Sequence, residues 1–179
     1  MKPTLLLLAI AIGLASFAGC AAPPRPLTTG AFPDAWEGHW EGELEIWAAD
    51  SVRQRVGMGL TIGVPDASER RAWTMAYEGQ PDRKYALVPV DAATGHWVID
   101  EGEGLLLRAD LTGNVLVSRF SVGSTLLMSV THFEPEQIVF EILSGPVEAD
   151  GVVAETSENP VTVYTTPNRQ RAVLHRATR

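Results

Sequence analysis

The sequence predicts an all-β domain, an antiparallel up-and-down meander of about ten strands that closes on itself. Three observations carry this. From Trp36 onward, apolar residues recur with period two in short runs, turn residues punctuate nearly every junction, and no long segment shows helical periodicity. The connections are too short for crossover helices, so successive strands pair antiparallel. An open meander of this length has two exposed edges, and closing it into a barrel removes both. A flattened β-sandwich is the alternative packing of the same strands.

The runs follow in order. Trp40, Leu44 and Ile46 alternate with Glu41, Glu43 and Glu45, and Val56, Met58, Leu60 and Ile62 alternate with Arg55, Gly57, Gly59 and Thr61. Then come Trp73, Met75 and Tyr77, Tyr85 with Leu87, Trp97 with Ile99, and Leu105 with Leu107. Val115 and Val117, then Leu126, Met128 and Val130, then Ile138, Phe140 and Ile142 continue the pattern, and Val161, Val163 and Val173 close it. One apolar face per run is the mark of a strand with one buried side. Pro65-Asp66, Thr94-Gly95, Gly102-Glu103-Gly104, Gly113-Asn114, Gly123-Ser124 and Pro167-Asn168 supply the turns. Gly57, Gly59 and Gly63 share one strand face, which suits a strongly bent strand. The acidic stretch from Glu148 to Asn159 reads as one long loop or a poorly paired hairpin around Val152 and Val153.

With 179 residues there is room for one such domain, and 45% apolar against 20% charged residues is the composition of a packed chain. A net charge of −8 repels phosphate backbones, so nucleic acid is not an expected partner. The lone cysteine, Cys20, excludes an internal disulfide and a multi-cysteine metal cage.

The residues before the strands have a different logic. Lys2 precedes the apolar run Leu5 to Ala18, which is the length of a signal-peptide core and short of the roughly 20 residues that span a bilayer. It ends in Phe17-Ala18-Gly19-Cys20, which resembles the lipobox of bacterial lipoproteins, with Phe17 where Leu is usual. The resemblance implies a signal peptide over 1–19, cleavage before Cys20 and acylation of its sulfur. Two or three acyl chains anchor a protein stably where one does not. Ala21, in place of the Asp that retains such proteins at the inner membrane, implies an outer-membrane protein of the cell envelope facing the periplasm. Residues 20–33 then form anchor and Pro-rich tether, extended over about 40 Å at about 3.1 Å per residue, and 34–179 the barrel.

Gly38-His39-Trp40 at the opening of the first strand resembles the G-x-W signature of the calycins, the group of lipocalins and fatty-acid-binding proteins. The resemblance implies that an Arg near the chain end packs on the Trp and closes the barrel floor, and Arg176 is the matching residue. Cation–π attraction is the physical reason for such a pair. The same opening, GHWEGELEI, also resembles the haem-binding nitrobindin-like barrels, although no residue here matches their iron-ligating histidine.

Catalytic and metal motifs are missing from the sequence: there is no G-x-S-x-G, no H-E-x-x-H and no Gly-rich phosphate loop. His39, His96, His132 and His175 are scattered singly, and the turn Asp100-Glu101-Gly102-Glu103-Gly104 lacks calcium-loop spacing. No cofactor, metal or enzymatic activity is therefore expected. Arg108 and Arg119 stand in otherwise apolar strands, and an inward Arg119 would pair with an acidic ligand such as a fatty-acid carboxylate. Three readings follow. The first is a lipid-anchored barrel that binds a small apolar or amphipathic ligand, lined by Trp40, Met58, Trp73, Tyr85, Arg119 and Phe140. The second is an envelope protein-protein interaction module with a filled barrel. The third is a haem-binding or catalytic barrel.

Overall fold

The computed structural model describes residues 32–153 and 160–178; the signal segment, Cys20 and most of the tether lie outside them. Nine strands follow one another as an antiparallel meander: β1 (Gly38–Ala48), β2 (Ser51–Pro65), β3 (Arg71–Tyr77), β4 (Arg83–Asp91), β5 (His96–Asp100), β6 (Leu106–Thr112), β7 (Val115–Val122), β8 (Thr125–Phe133) and β9 (Gln137–Pro146). The short hairpin β10 (Gly151–Val153) and β11 (Val161–Val163) interrupts the run, and β12 (Asn168–Arg176) completes a closed ten-strand barrel by pairing with both β9 and β1. The closing register sets Trp40 opposite Arg176 and Ala48 opposite Asn168, so the first and last strands leave no free edge.

Val161 and Val163 are thus not part of the last barrel strand, as their alternation suggested. They pair with Val153 and Gly151 in a separate two-stranded sheet, and both valines are exposed. After this hairpin the chain returns across the outside of β9 at Gly145. A Cβ at Gly145 would lie 2.2 Å from the Thr165 carbonyl oxygen, so only glycine permits the crossing.

Leu105 is likewise not a strand residue: it lies in the turn before β6 and is exposed. Two faces are reversed with respect to the apolar alternation. On β7 the buried residues are Leu116 and Ser118, not Val115 and Val117. On β8, Leu127, Ser129, Thr131 and Phe133 belong to the inner face, while Leu126 and Met128 lie outside, beside Leu143 and Tyr164. These strands carry apolar residues on both faces and hydroxyls on the inner one, so hydropathy alone pointed the wrong way.

The interior divides into a filled floor and a hollow upper part. At the floor, where β1 begins and β12 ends, Trp40, Leu60, Phe133, Ile138 and Leu174 are fully buried. Each such side chain contributes about 1.5–3 kcal/mol by burial. The segment before β1 crosses this end as a plug. Phe32 meets Trp97 edge-on at 5.2 Å and Phe133 at 4.7 Å, and Trp36 lies 5.4 Å from Phe133. Offset and edge contacts of this kind are the favoured aromatic geometries. The Trp36 indole donates to the Glu134 carbonyl at 2.8 Å, and Trp40 donates to the Trp36 carbonyl at 2.9 Å.

Two arginines lock the plug. Arg71, almost fully buried, pairs with both Asp34 and Glu37 and donates to the Gly63 carbonyl at 3.3 Å. Arg176 lies over the Trp40 ring, its guanidinium carbon 4.3 Å from the ring centroid, and donates to the carbonyls of Glu37 at 2.5 Å and Ala35 at 3.1 Å. Gly38, between them, has φ +124°, and a Cβ there would stand 2.8 Å from Arg176 Nη1. The glycine of the G-x-W triplet is therefore required by backbone conformation and by the arginine that packs against it.

Candidate functional site

Above the floor the barrel encloses a cavity of about 220 Å³. Its lower wall is formed by Trp73 and Met75 from β3, Leu116 from β7, Thr131 from β8 and Phe140 from β9. Ile99, Leu107, Leu127 and Ile142 continue the apolar lining, and Ser118 and Ser129 stand side by side on β7 and β8. Tyr77, Arg83, Tyr85, Glu101 and Phe120 ring the end away from the floor. The inner face of each strand points alternate residues into this space, which is how residues far apart in sequence converge here.

The charged groups all sit at the mouth. The Arg83 guanidinium lies 4.8 Å from the centroid of the Tyr77 ring and reaches the Gln80 side-chain oxygen at 3.4 Å. Burial pushes the Glu101 carboxyl above its ordinary pKa, against the opposing pull of Arg83. Burial also raises the phenols of Tyr77 and Tyr85, which the positive charge of Arg83 partly offsets. At neutral pH the mouth therefore holds one permanent cation, two neutral phenols and one carboxyl disfavoured in its charged form. A neutral body with one anionic or hydrogen-bonding end fits such a setting.

Of the residues expected to line a ligand, Trp73, Tyr85 and Phe140 border the cavity. Trp40 belongs to the filled floor, with no exposed surface, and Met58 is buried beside Gly42 and Tyr77 without reaching the cavity. Arg119 faces outward: it follows Ser118 and precedes Phe120, both on the inner face, and lies in an external groove with Met128, Leu143 and Tyr164. Arg108 also points out, donating to Asp110 at 3.1 Å and lying 3.1 Å from His96. That pair, Arg108 first and His96 second, holds the Asp110 carboxyl below its usual range. Cys20 lies outside the described residues.

The cavity-lining polar side chains missed by the sequence reading are Arg83, Glu101 and Tyr77 at the mouth and Ser129 and Thr131 within. Parity held the signal for the mouth: Arg83 shares a face with Tyr85 and Leu87, and Glu101 with Trp97 and Ile99. In the acidic turn after β5, Asp100 is spent on Arg70 at 2.7 Å and on the Gly102 amide at 2.9 Å, while Glu101 turns to the cavity. Among the described residues no cluster of three or more His, Cys, Asp or Glu is placed to hold a metal ion, and no helix is long and apolar enough to cross a membrane.

No protein-family model and no curated protein matches the chain. Among solved structures, a protein of unknown function of the DUF3598 family from Nostoc punctiforme superposes with TM-score 0.56 at 10% identity, over 80% of this chain and 48% of that one. This chain thus spans about half the length of that protein. An S-type phycobiliprotein lyase from Guillardia theta superposes with TM-score 0.52 at 8% identity, over 82% of this chain and 90% of the lyase. At these identities the likeness is one of fold: the closed antiparallel barrel is shared.

Proposed function

We propose that the protein is a lipid-anchored binding protein of the bacterial envelope whose barrel holds a small amphipathic molecule, apolar body in the cavity and acidic end at Arg83. The observation that carries the reading is the cavity itself, lined mainly by apolar side chains and furnished with a cation only at its mouth. A barrel packed only for stability gains nothing from such a void, because an empty apolar cavity costs contacts that a filled one keeps. Size narrows the ligand. An apolar cavity of about 150 Å³ accepts benzene, so about 220 Å³ encloses roughly nine carbon atoms. A molecule as large as a bilin, which the lyase's name brings to mind, would have to protrude through the mouth.

The chain from Ala21 onward contains the whole described fold, and titrating it against octanoate, propylbenzene, haem and a bilin tests the reading. Octanoate at about 100 times its Kd is expected to stabilise the fold by about 2.7 kcal/mol, readable as a rise of melting temperature of roughly 5–10 °C. If no probe shifts the melting temperature and no small molecule co-purifies in native mass spectrometry, the binding reading fails and the interaction module replaces it. Anchoring is tested separately. Cys20→Ser is expected to leave the membrane fraction or to accumulate unprocessed, and equal partitioning of mutant and wild type would refute the anchor.

A further inference from the structure

The cavity wall is not uniformly apolar below the mouth. Ser118, Ser129 and Thr131 form a hydroxyl patch on the inner faces of β7 and β8. Ser118 spends its hydroxyl on the Arg108 carbonyl at 2.7 Å. Ser129 and Thr131 enter no side-chain hydrogen bond among the described residues, although Thr131 is only 3% exposed. Both residues line the cavity, and neither hydroxyl is among the buried polar atoms without a partner, which among the described residues are the Trp47 and Trp97 indole nitrogens; the two hydroxyls are therefore open to water or to a ligand in the cavity. Valine would match the shape of Thr131 on a strand and offer the cavity no hydrogen bond.

The patch also has a definite place. Thr131 is two residues from Phe133 of the floor, at the end of the cavity away from Arg83. In the ring of ten strands β8 lies five steps from β3 in either direction, so the hydroxyls sit on the wall opposite Trp73. Trp73 and Phe140 supply aromatic surface at the lower end and Phe120 at the mouth.

Resting on the reading that this cavity is the binding site, we propose that its ligand is a bipolar aromatic acid. A single ring carries a hydroxyl or carbonyl at its buried end, bonded by Thr131 and Ser129, and the acidic group lies at the mouth. A threonine or serine hydroxyl both donates and accepts, so either ring substituent is served. A plain hydrocarbon tail would leave both hydroxyls unmet against its terminal methyl, which sets this ligand apart from a simple fatty acid.

The test follows binding to the chain from Ala21 onward by tryptophan fluorescence and calorimetry. The probes are 3-(4-hydroxyphenyl)propanoate, 3-phenylpropanoate and the neutral propylbenzene. The hydroxylated acid is expected to bind about ten-fold more tightly than 3-phenylpropanoate. Thr131→Val combined with Ser129→Ala is expected to bring that ratio to near one, and Thr131→Ser, which keeps the hydroxyl, to preserve it; near-UV circular dichroism checks that each variant is folded. Equal affinities in the wild type, or a preference that survives Thr131→Val with Ser129→Ala, overturn the proposal. If propylbenzene binds and the preference is absent, only the bipolar assignment falls. If none of the three binds, the cavity reading itself falls and takes this one with it.

Discussion

Replacing Arg176 by methionine keeps most of the aliphatic stem over Trp40 and removes the guanidinium alone. What that group does is visible: it lies 4.3 Å from the ring centroid and bonds two carbonyls of the plug, those of Glu37 and Ala35. Because Arg176 is exposed, the stack is worth about 0.5–1 kcal/mol. Each charge-assisted hydrogen bond is worth about 1.5–3 kcal/mol where the acceptor stays dry. Near the surface the two carbonyls regain water, so the pair together contributes about 1–2 kcal/mol. Arg176→Met is then expected to cost about 1.5–3 kcal/mol, or roughly 3–12 °C of melting temperature for a chain of this size. Urea unfolding followed by circular dichroism measures the loss, and Trp40→Phe completes a double-mutant cycle. The phenyl ring keeps the floor largely filled while giving up the indole bond to Trp36. The coupling energy is expected to be only part of the stack, about 0.5 kcal/mol, since Phe retains part of the π face. Strict additivity, or an Arg176→Met variant as stable as wild type, would show that the contact is incidental and that the G-x-W resemblance has no energetic content here.

Three further outcomes follow from the same geometry. Gly38→Ala forces a side chain into φ +124° and against Arg176, and is expected to destabilise by about 2 kcal/mol or more in urea unfolding; a neutral result would refute the close approach. Arg71→Leu leaves Asp34 in water, at 72% exposed, but strips the cation from Glu37, whose side chain is 31% exposed, so the loss is expected at about 1–3 kcal/mol, with faster amide exchange at residues 34–37 as the local readout. No added exchange there would show that the plug is held by its aromatics alone. Glu101 bears on pH. Its folded pKa is raised by burial, so the folded state binds more protons than the unfolded one between about 4.3 and the raised value, and stability falls as pH rises through that window. Glu101→Gln is therefore expected to be more stable than wild type at pH 7 and to lose that advantage below about pH 4, and a wild type that gains on the variant as pH rises would reverse the argument.

The barrel was legible in the sequence because its evidence is redundant. Strands such as Trp73-x-Met75-x-Tyr77 alternate cleanly, and short connections leave antiparallel pairing as the only topology. Closure was legible at Trp40 and Arg176, now neighbours in register and stacked. The cavity wall was harder to read, for a physical reason. Alternation identifies an inner face by its hydropathy, but a cavity wall that carries hydroxyls is less apolar than its own outer face. On β8 the inner Ser129 and Thr131 lost the comparison to the outer Leu126 and Met128. The outer residues are apolar because the returning chain at Tyr164–Thr166 lies along them, a long-range contact that no local pattern announces. Arg119 was misplaced by the same inversion, whereas Arg71 and Arg83 were hidden one step beyond the apolar runs whose parity they share.

The division of the interior into floor and cavity also explains where a functional barrel can place its aromatic residues. Three of the five tryptophans, Trp36, Trp40 and Trp97, are buried in the floor with Phe133, and the partly buried Phe32 packs against them. Concentrated there, they fill one end of a wide ten-strand barrel and tie the plug to it through the Trp36 and Trp40 indoles. In the upper half Ser118, Ser129 and Thr131 stand where larger side chains would fill the space, and the cavity is left between them. The aromatic packing is gathered at the end where the segment before β1 enters, and the opposite end is left hollow. Because Phe32 enters at the floor, a lipid anchor on Cys20 would hold the closed end through the tether and leave the mouth at Arg83 on the far side of the barrel, free to exchange ligand.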